Sequence, residues 1–358
     1  MAYQIELIKK SDGAQIIKLF KNVFNQPMCE RDSYSIFIWF YFENILKKNY
    51  SRGVYQENLL LSYWGFIPIY YIKNGVKYKG SLSLQLVSQK AILGTTLALW
   101  KKIKKDLIKN DVNVCFTINH ENSAEIFRSL KWEVTTTPVL LNISHIFILI
   151  NDLIIKRMKN KKFIFYFSKL FIYFDFLISA FISFFSVNSN HVRKVDAFNN
   201  RSDNVIQIMN RSINYGIYLD LEYLNWRYVE KPNNKYTILS YIINQRIKGF
   251  LVYSVKEQHN TKIGYIMDII ANPNDDYIVK ELITCAKKKL YQDKVSVISA
   301  LSFKKNIFYS SYRNSFFIKI PQIFLPHKSF FSLYTITDKI KKLNIEDWHI
   351  SWGLHDNV

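Results

Sequence analysis

The same order of sequence features occurs twice in this chain, and this repetition constrains its fold more than any other property. Residues 65–80 and 249–264 each begin and end with glycine, and both Gly-to-Gly intervals are 15 residues long. Each interval is predicted to form a strand, a turn and a second strand. A Trp-x-Tyr element precedes each interval, at 39–41 and 226–228, and a Lys-rich segment followed by a β-branched run comes after it. The pattern predicts two copies of one α/β unit.

Length and composition agree with two domains and a linker. The chain has 358 residues and is 49% hydrophobic, which is enough for two cores. We predict a first domain at 1–145, a linker at 146–195 and a second domain at 196–358. Helices are predicted at 13–24, 32–42, 95–110, 122–130, 203–212, 218–228, 276–291 and 306–312. Strands are predicted at 5–7, 59–64, 67–72, 80–86, 112–118, 133–143, 236–243, 248–255, 261–270, 295–301 and 316–320. This order predicts a mixed α/β fold.

Charge and cysteine content narrow the class of protein. The formal net charge of +21 suits nucleic acid, an anionic membrane surface or a polyanionic ligand. The basic residues are scattered and form no aromatic-interleaved motif, which argues against nucleic acid. Cys29, Cys115 and Cys285 are odd in number and widely spaced, so we predict no disulfide framework and no metal site. The amino terminus lacks the apolar core of a signal peptide, which favours a cytoplasmic protein.

The apolar segment 163–187 is long enough in principle to cross a bilayer. Asp175 argues against spanning, because a central Asp costs about 2.5–3.5 kcal/mol on insertion scales. Asp175 also lies on one helical stripe with three serines, at 179, 183 and 186. We therefore predict an amphipathic helix. It would either pack in a core or lie on the inner face of the cell membrane as a peripheral anchor.

The order of elements resembles the GNAT fold of acyl-coenzyme A N-acyltransferases, present twice. More closely, the chain is similar to tandem GNAT proteins found near bacterial surface-polysaccharide genes. Four segments are similar to motifs of that group: Leu224-Asn-Trp-Arg-Tyr228 with Pro232, His120-Glu-Asn-Ser123, Leu130-Lys-Trp132, and the closing segment 348–356. His120 and Lys131 depart from the pattern. The resemblance implies two GNAT-like domains, the second degenerate, joined by the amphipathic helix.

The resemblance also implies where an acyl-coenzyme A would bind. In the family, a Gly-rich loop at a helix N-terminus holds the pyrophosphate. Residues 89–95 occupy this position in the first copy; Gln89 and Gly94 match, while Ile92 replaces the middle glycine. The implied cofactor contacts are Leu86, Gln89, Lys90, Gly94, Thr95 and Asn122. In the second copy residues 272–276 contain two aspartates and no glycine, so this copy should not bind coenzyme A.

Direct acyl transfer to an amine needs a group that accepts the amine's proton. Glu121 or His120 are the candidate bases, or hold the water that relays the proton. Asp268 is a candidate for binding an amine or sugar hydroxyl, and Arg227 for an anionic group on the acceptor. Structural alternatives remain open for three of these residues: Glu121 as a helix cap, Asp268 as a charge facing water, and Arg227 in a surface ion pair.

The function implied is transfer of an acyl group from acetyl-coenzyme A, or another acyl-coenzyme A, to an amino group of an amino sugar or lipid-linked saccharide. Two alternatives stay open. A Fem-like aminoacyltransferase would use aminoacyl-tRNA, which suits the positive charge but lacks the long helical arm of that group. A non-catalytic binding module would use the segment 163–187 at the membrane.

Overall fold

A computed structural model describes residues 3–24, 33–89, 94–143, 189–258, 261–325, 328–337 and 344–355. Eight α-helices and fifteen strands lie in this part of the chain, and the strands form two mixed sheets. The predicted helix at 163–187 lies outside the described residues, as do Cys29, Lys90 and Ile92. A helix able to span a lipid bilayer is not found among the residues described.

The first sheet has the order β1-β2-β3-β4-β5-β15-β6, with β9 paired to β3. Its strands are β1 (Gln4–Leu7), β2 (Arg52–Gln56), β3 (Leu59–Lys73), β4 (Val76–Ser88), β5 (Val114–His120), β6 (Glu133–Thr136), β9 (Tyr215–Ile217) and β15 (Ser329–Thr335). The first-half helices are α1 (Gly13–Phe24), α2 (Tyr34–Tyr41), α3 (Thr95–Lys109) and α4 (Glu121–Ser129). β4 and β5 are parallel, and the other neighbours in this sheet are antiparallel.

The second sheet has the order β14-β7-β13-β12-β11-β10-β8. Its strands are β7 (Val139–Ile143), β8 (Val192–Val195), β10 (Tyr236–Ile243), β11 (Arg246–Gln258), β12 (Thr261–Ala271), β13 (Val297–Leu301) and β14 (Ile318–Lys319). The second-half helices are α5 (Asp203–Ser212), α6 (Leu221–Tyr228), α7 (Asp276–Gln292) and α8 (Tyr309–Asn314). β12 and β13 are parallel, and the other described neighbours in this sheet are antiparallel. The parallel pair occupies the position that β4 and β5 have in the first sheet.

Local sequence explains where several elements begin and turn. Asn74 and Gly75 both have positive φ, of 49° and 80°, which is the geometry of a two-residue hairpin between β3 and β4. The side chain of Ser33 accepts a hydrogen bond from Ile36 N at 3.2 Å and caps α2. Asp220 caps α6 in the same way, accepting from Tyr223 N at 2.8 Å. The two Trp-x-Tyr elements are therefore carried by equivalent, equally capped helices.

The last strand of each half lies in the sheet of the other half. β15 lies between β5 and β6, and β7 lies between β13 and β14. The separation of β6 from β7 occurs at Pro138, which has no N–H to continue a ladder. The single strand predicted at 133–143 is therefore wrong, because its two parts belong to different sheets. Across the domain boundaries predicted at 145 and 196, the first sheet takes β9 and β15 from the second half. The second sheet takes β7 from the first half and β8 from the predicted linker.

Two other strand predictions are corrected. The segments 59–64 and 67–72 form one long strand, β3, because Gly65 does not end it. Gly65 instead allows close approach, since an added Cβ would overlap the hydroxyl groups of Tyr41 and Tyr63. Strands β2, β8, β9 and β15 were not predicted from the sequence.

The two halves share one apolar core. Trp39 of α2 and Trp226 of α6, the equivalent residues of the repeat, stack on each other with ring centroids 4.6 Å apart. Their indoles are part of a continuous cluster of buried side chains that runs from α1 and β3 to β12 and α7. A smaller cluster on the opposite face of the first sheet packs β3 against α3 and α4 through Trp64, Trp100 and Trp132. Reciprocal strand exchange and this shared core make the halves interdependent.

Candidate active site between the two halves

Each sheet opens where its parallel pair of strands diverges. β4 and β5 pair only from Gly80 to Leu82, opposite Val114 to Phe116, although both strands continue beyond this point. β12 and β13 likewise pair only from Ile263 to Tyr265. A register shift in the neighbouring antiparallel ladder accompanies each opening, as β-bulges often do next to functional sites. The fold therefore contains two equivalent clefts.

The first cleft is accessible from outside. Residues 84–86 of β4 are only half-buried, and Gln85 Oε1 accepts a hydrogen bond from Tyr41 Oη at 3.2 Å. The cleft leads to the start of α3, where Gly94 has a φ of 82° and an added Cβ would meet nothing within 4 Å. The first turn of α3 contains no acidic residue. Among the described residues, this helix start therefore has a glycine with room beside it and no acidic side chain in its first turn.

The predicted cofactor contacts lie around this cleft to different degrees. Leu86 lies near the end of β4, and Gln89 is the first residue after it. The backbone N–H of Gln89 donates to Leu61 O at 3.1 Å. Gly94 and Thr95 lie at the start of α3, where Thr95 is buried. Asn122 is exposed in the first turn of α4. The described residues thus place four of the six predicted contacts at the junction of β4 and α3.

The second cleft is filled by the carboxy-terminal segment, residues 348–355, which are the described residues of the closing segment. Trp352 Nε1 donates to Ser299 Oγ of β13 at 3.1 Å, and its ring packs edge-on against Tyr265 of β12, with centroids 5.3 Å apart. Residues 266–271 of β12 are all buried. At the start of α7, Asp276 binds Lys280 at 2.6 Å and accepts from Ser311 at 2.8 Å. The equivalent clefts therefore differ in both contents and charge.

Asp268 is buried beside the segment that fills the second cleft. It is 8% exposed and accepts a hydrogen bond from Tyr228 Oη. Burial raises the pKa of Asp268 to about 6, while hydrogen bonds from Ser351 and Tyr228 and the charge of Arg227 act in the opposite direction. The alternative that Asp268 faces water as a strand-end charge is wrong.

A small cavity of about 20 Å³, large enough for one water molecule, adjoins Asp268. Tyr223, His349 and Ser351 also line it. The Nδ1 atom of His349 is buried without a hydrogen-bond partner among the described residues, and burial lowers the pKa of His349 to about 4. A neutral imidazole and a carboxyl group of raised pKa thus face one small cavity.

Arg227 is the second buried charge in this region and holds the carboxy-terminal segment. It is 3% exposed. Its Nε donates to Gly353 O at 3.0 Å and its Nη2 to His355 O at 2.8 Å, while Nη1 donates to Tyr236 Oη at 2.7 Å. The alternative that Arg227 forms a surface ion pair is wrong. The guanidinium group instead joins α6 to residues 353–355 by charge-assisted hydrogen bonds.

The two predicted bases lie where β5 meets α4. Glu121 is exposed and forms an ion pair with Lys328, with Nζ and Oε1 2.6 Å apart. His120 is the last residue of β5 and is also exposed. The amide of Asn119, one residue earlier, accepts from Ala124 N at 3.2 Å and donates to Ser332 Oγ at 2.7 Å, which fixes α4 against β5 and β15. His120 is therefore presented from a rigid strand end.

His355 is a candidate that sequence reasoning missed. Its ring lies 5.9 Å from the ring of His120 between centroids, and the side chain is 7% exposed. It also lines a small apolar cavity together with Arg227 and with Leu82, the last residue of β4 that pairs with β5. The available signal was a histidine inside the closing motif, but the sequence does not show that this motif enters the first half. Among the described residues, no group of His, Cys, Asp and Glu is arranged to hold a metal ion.

No family model matches the sequence, and no curated protein matches it significantly. Solved structures do match. A protein from Enterococcus faecalis V583 described as a probable N-acyltransferase has 13% identity and a TM-score of 0.57, over 94% of this chain and 73% of its own. Saccharomyces cerevisiae N-myristoyltransferase with bound myristoyl-CoA has 13% identity and a TM-score of 0.58, over 93% and 79%. A GCN5-related N-acetyltransferase from Anabaena variabilis ATCC 29413 has 9% identity and a TM-score of 0.58, over 94% and 74%. The fold is that of GNAT N-acyltransferases.

Proposed function

We propose that the protein is an N-acyltransferase that moves an acyl group from acyl-coenzyme A to an amino group, with an amino sugar or a lipid-linked saccharide as acceptor. The observation that carries this proposal is the asymmetry of the two clefts. One is open and leads to a helix N-terminus without acidic residues, whereas the other is filled and acidic at the same place. A chain with this fold would thus hold one acyl donor, in the first half.

The donor site is argued from electrostatics at the start of α3. The N–H groups of the first helical turn and the helix dipole attract a pyrophosphate. Gly94, in the left-handed region, turns the chain into the helix without a side chain that would obstruct the phosphates. At the start of α7, by contrast, Asp275 and Asp276 would repel a pyrophosphate.

The acceptor would enter from the side of the second half. α6 and residues 353–355 border the base of the first cleft, so the second half supplies that wall. Glu121 is held by Lys328 at the surface, which makes His120 the better placed of the two predicted bases. Because Arg227 and Asp268 are buried, both residues would order this wall rather than contact the acceptor directly.

The proposal is tested by calorimetric titration with acetyl-coenzyme A and with myristoyl-coenzyme A. Thr96 lies in the first turn of α3 and is half-buried, so Thr96→Glu places a carboxylate near the proposed pyrophosphate and copies the acidic start of α7. An acidic residue in the first turn also favours the helix, so the variant should fold. A like charge about 4 Å away costs about 1 kcal/mol in water and about 4 kcal/mol near a protein surface. We therefore expect binding to weaken tenfold or more.

Thr96→Gln is the matched control, because it has nearly the same shape without the charge. It should bind the donor like the wild-type protein. Transfer is then assayed as release of the coenzyme A thiol with a panel of amines that includes glucosamine and UDP-glucosamine. Failure of the wild-type protein to bind either donor would contradict the proposal, and so would equal loss of binding in both Thr96 variants.

A further inference from the structure

The carboxy-terminal segment passes through both halves before it reaches the first cleft. Trp348 is fully buried under the first sheet, where its ring packs against Phe116 of β5 with centroids 4.9 Å apart. Trp352 then occupies the second cleft, where its indole N–H donates a hydrogen bond to Ser299. Three residues later, His355 returns to the first half beside His120. The filling of the second cleft and the delivery of His355 are therefore one structural arrangement.

Both diverging strands of the first cleft have a residue close to His355. β4 contributes Leu82, which lines the same cavity as His355, and β5 contributes His120, whose ring lies 5.9 Å away. Leu82 is the last residue of β4 that pairs with β5. A group between two such strands lies where a thioester held in the cleft would meet the incoming amine.

Arg227 fixes the backbone that carries this imidazole. Two of its hydrogen bonds reach the carbonyl groups of Gly353 and His355 from one planar guanidinium group. Gly353 is also enclosed, since an added Cβ would overlap Tyr228 Oη and Asp268 Oδ2. The turn that ends at His355 is thus held from two sides by buried groups of the second half.

We propose that His355 is a general base for the reaction in the first cleft and that Arg227 is its positioning residue. This assignment rests on the proposed function. The imidazole accepts a proton from the substrate ammonium, and the amine nitrogen then attacks the thioester carbonyl carbon. The C–N bond forms, the C–S bond breaks, and the coenzyme A thiolate leaves and takes up a proton released from the intermediate. The products are the amide, the thiol and one proton returned from His355 to solvent.

The first experiment is independent of the acceptor. Histidine ring resonances of the wild-type protein are assigned by single substitutions and followed during titration with acetyl-coenzyme A. Resonances of His355 and His120 should shift together on saturation. His191, an exposed residue in the turn before β8, is the internal reference and should not shift. Binding of acetyl-coenzyme A without a shift of His355 would overturn the assignment while leaving the donor site intact.

The second experiment uses the amine that the wild-type protein acylates fastest. His355→Ala should lower kcat about 10²-fold or more, leave the Kd of acetyl-coenzyme A unchanged, and regain activity with added imidazole. His191→Ala should behave like the wild-type protein. Arg227→Lys keeps the charge but cannot reach both carbonyl groups, so kcat should fall at an unchanged KM for the donor. Full activity of His355→Ala would overturn the proposal. Failure of the wild-type protein to bind acetyl-coenzyme A would instead contradict the proposed function itself.

Discussion

Replacing Asp268 by Asn should remove a pH-dependent loss of stability. Burial raises the pKa of Asp268 from 3.8 to about 6, so the folded protein binds this proton more tightly than the unfolded chain does. The stabilising effect of that proton is complete below about pH 3.8 and is lost as the pH rises through about 6. A difference of about two pKa units, at 1.36 kcal/mol each, gives about 3 kcal/mol. This is a large fraction of a stability of about 5–15 kcal/mol.

The measurement is urea unfolding of the wild-type protein and Asp268→Asn, followed by tryptophan fluorescence from pH 4 to pH 8. Other carboxylates titrate equally in both proteins, so the difference in unfolding free energy isolates Asp268. The variant should gain about 2 kcal/mol relative to the wild-type protein between pH 4 and pH 8, because the unfolded carboxyl group is already partly ionised at pH 4. Ser351→Ala is the companion variant. It removes a hydrogen bond that lowers the pKa of Asp268, so its own stability should fall more steeply with pH.

Asp276→Asn is the control in which the pKa shift, and therefore the pH dependence of stability, has the opposite sign. Hydrogen bonds from Lys280 and Ser311 lower the pKa of Asp276 despite a smaller opposing effect of burial. Its carboxylate therefore stabilises the fold above the unfolded pKa, and that contribution disappears as the pH falls. Asp276→Asn should be less stable than the wild-type protein at pH 7 and equal to it at low pH. A constant gap between the wild-type protein and Asp268→Asn over the whole pH range would refute the reasoning about the buried carboxyl group.

Three further outcomes are expected. Gly353→Ala should lower the free energy of unfolding by about 1–3 kcal/mol, measured by urea midpoint, because the added Cβ overlaps the Tyr228 hydroxyl group; an unchanged midpoint would contradict this. A double-mutant cycle of Trp39→Leu and Trp226→Leu should give a coupling of about 0.5–1.5 kcal/mol, whereas strict additivity would mean that the stack contributes nothing of its own. Burial raises the pKa of the Cys115 thiol well above its usual value, so with the other two cysteines replaced by serine it should react with Ellman's reagent only after unfolding.

The sequence predicted the repeat because its marks are local. Gly80 and Gly264 both lie in the parallel pairs of their sheets, opposite Val114 and Ile298. Glycines at these positions can be recognised in the sequence, and so can a helix cap followed by a Trp-x-Tyr element. Helix α5 has the predicted boundaries, because an acidic residue in its first turn, Asp203, precedes a helical spacing of apolar residues at 205, 206 and 209.

The exchange of strands could not be predicted in the same way. β7 (VLLNI) and β15 (SFFSLYT) are mostly apolar and would fit a buried position in either sheet, so the residues of each strand do not indicate which neighbour it pairs with. Choice of partner depends on the distance that the chain must cover after Pro138 and on the edge available there. The closing segment posed a similar difficulty, since the buried roles of Arg227 and His355 depend on contacts 126 and 128 residues apart in sequence.

The asymmetry of the two clefts suggests why the repeat carries different residues at equivalent places. Strand exchange and a shared core tie the halves together, so neither cleft can change without the other half responding. Because residues 352–354 fill the second cleft, a donor would not bind there, and acidic residues at the start of α7 would not weaken donor binding in the first cleft. The same filling brings His355 to the first cleft. Under the proposed function, loss of one donor site and completion of the other would be linked by a single buried segment, with Arg227 as the side chain through which a change in one would reach the other.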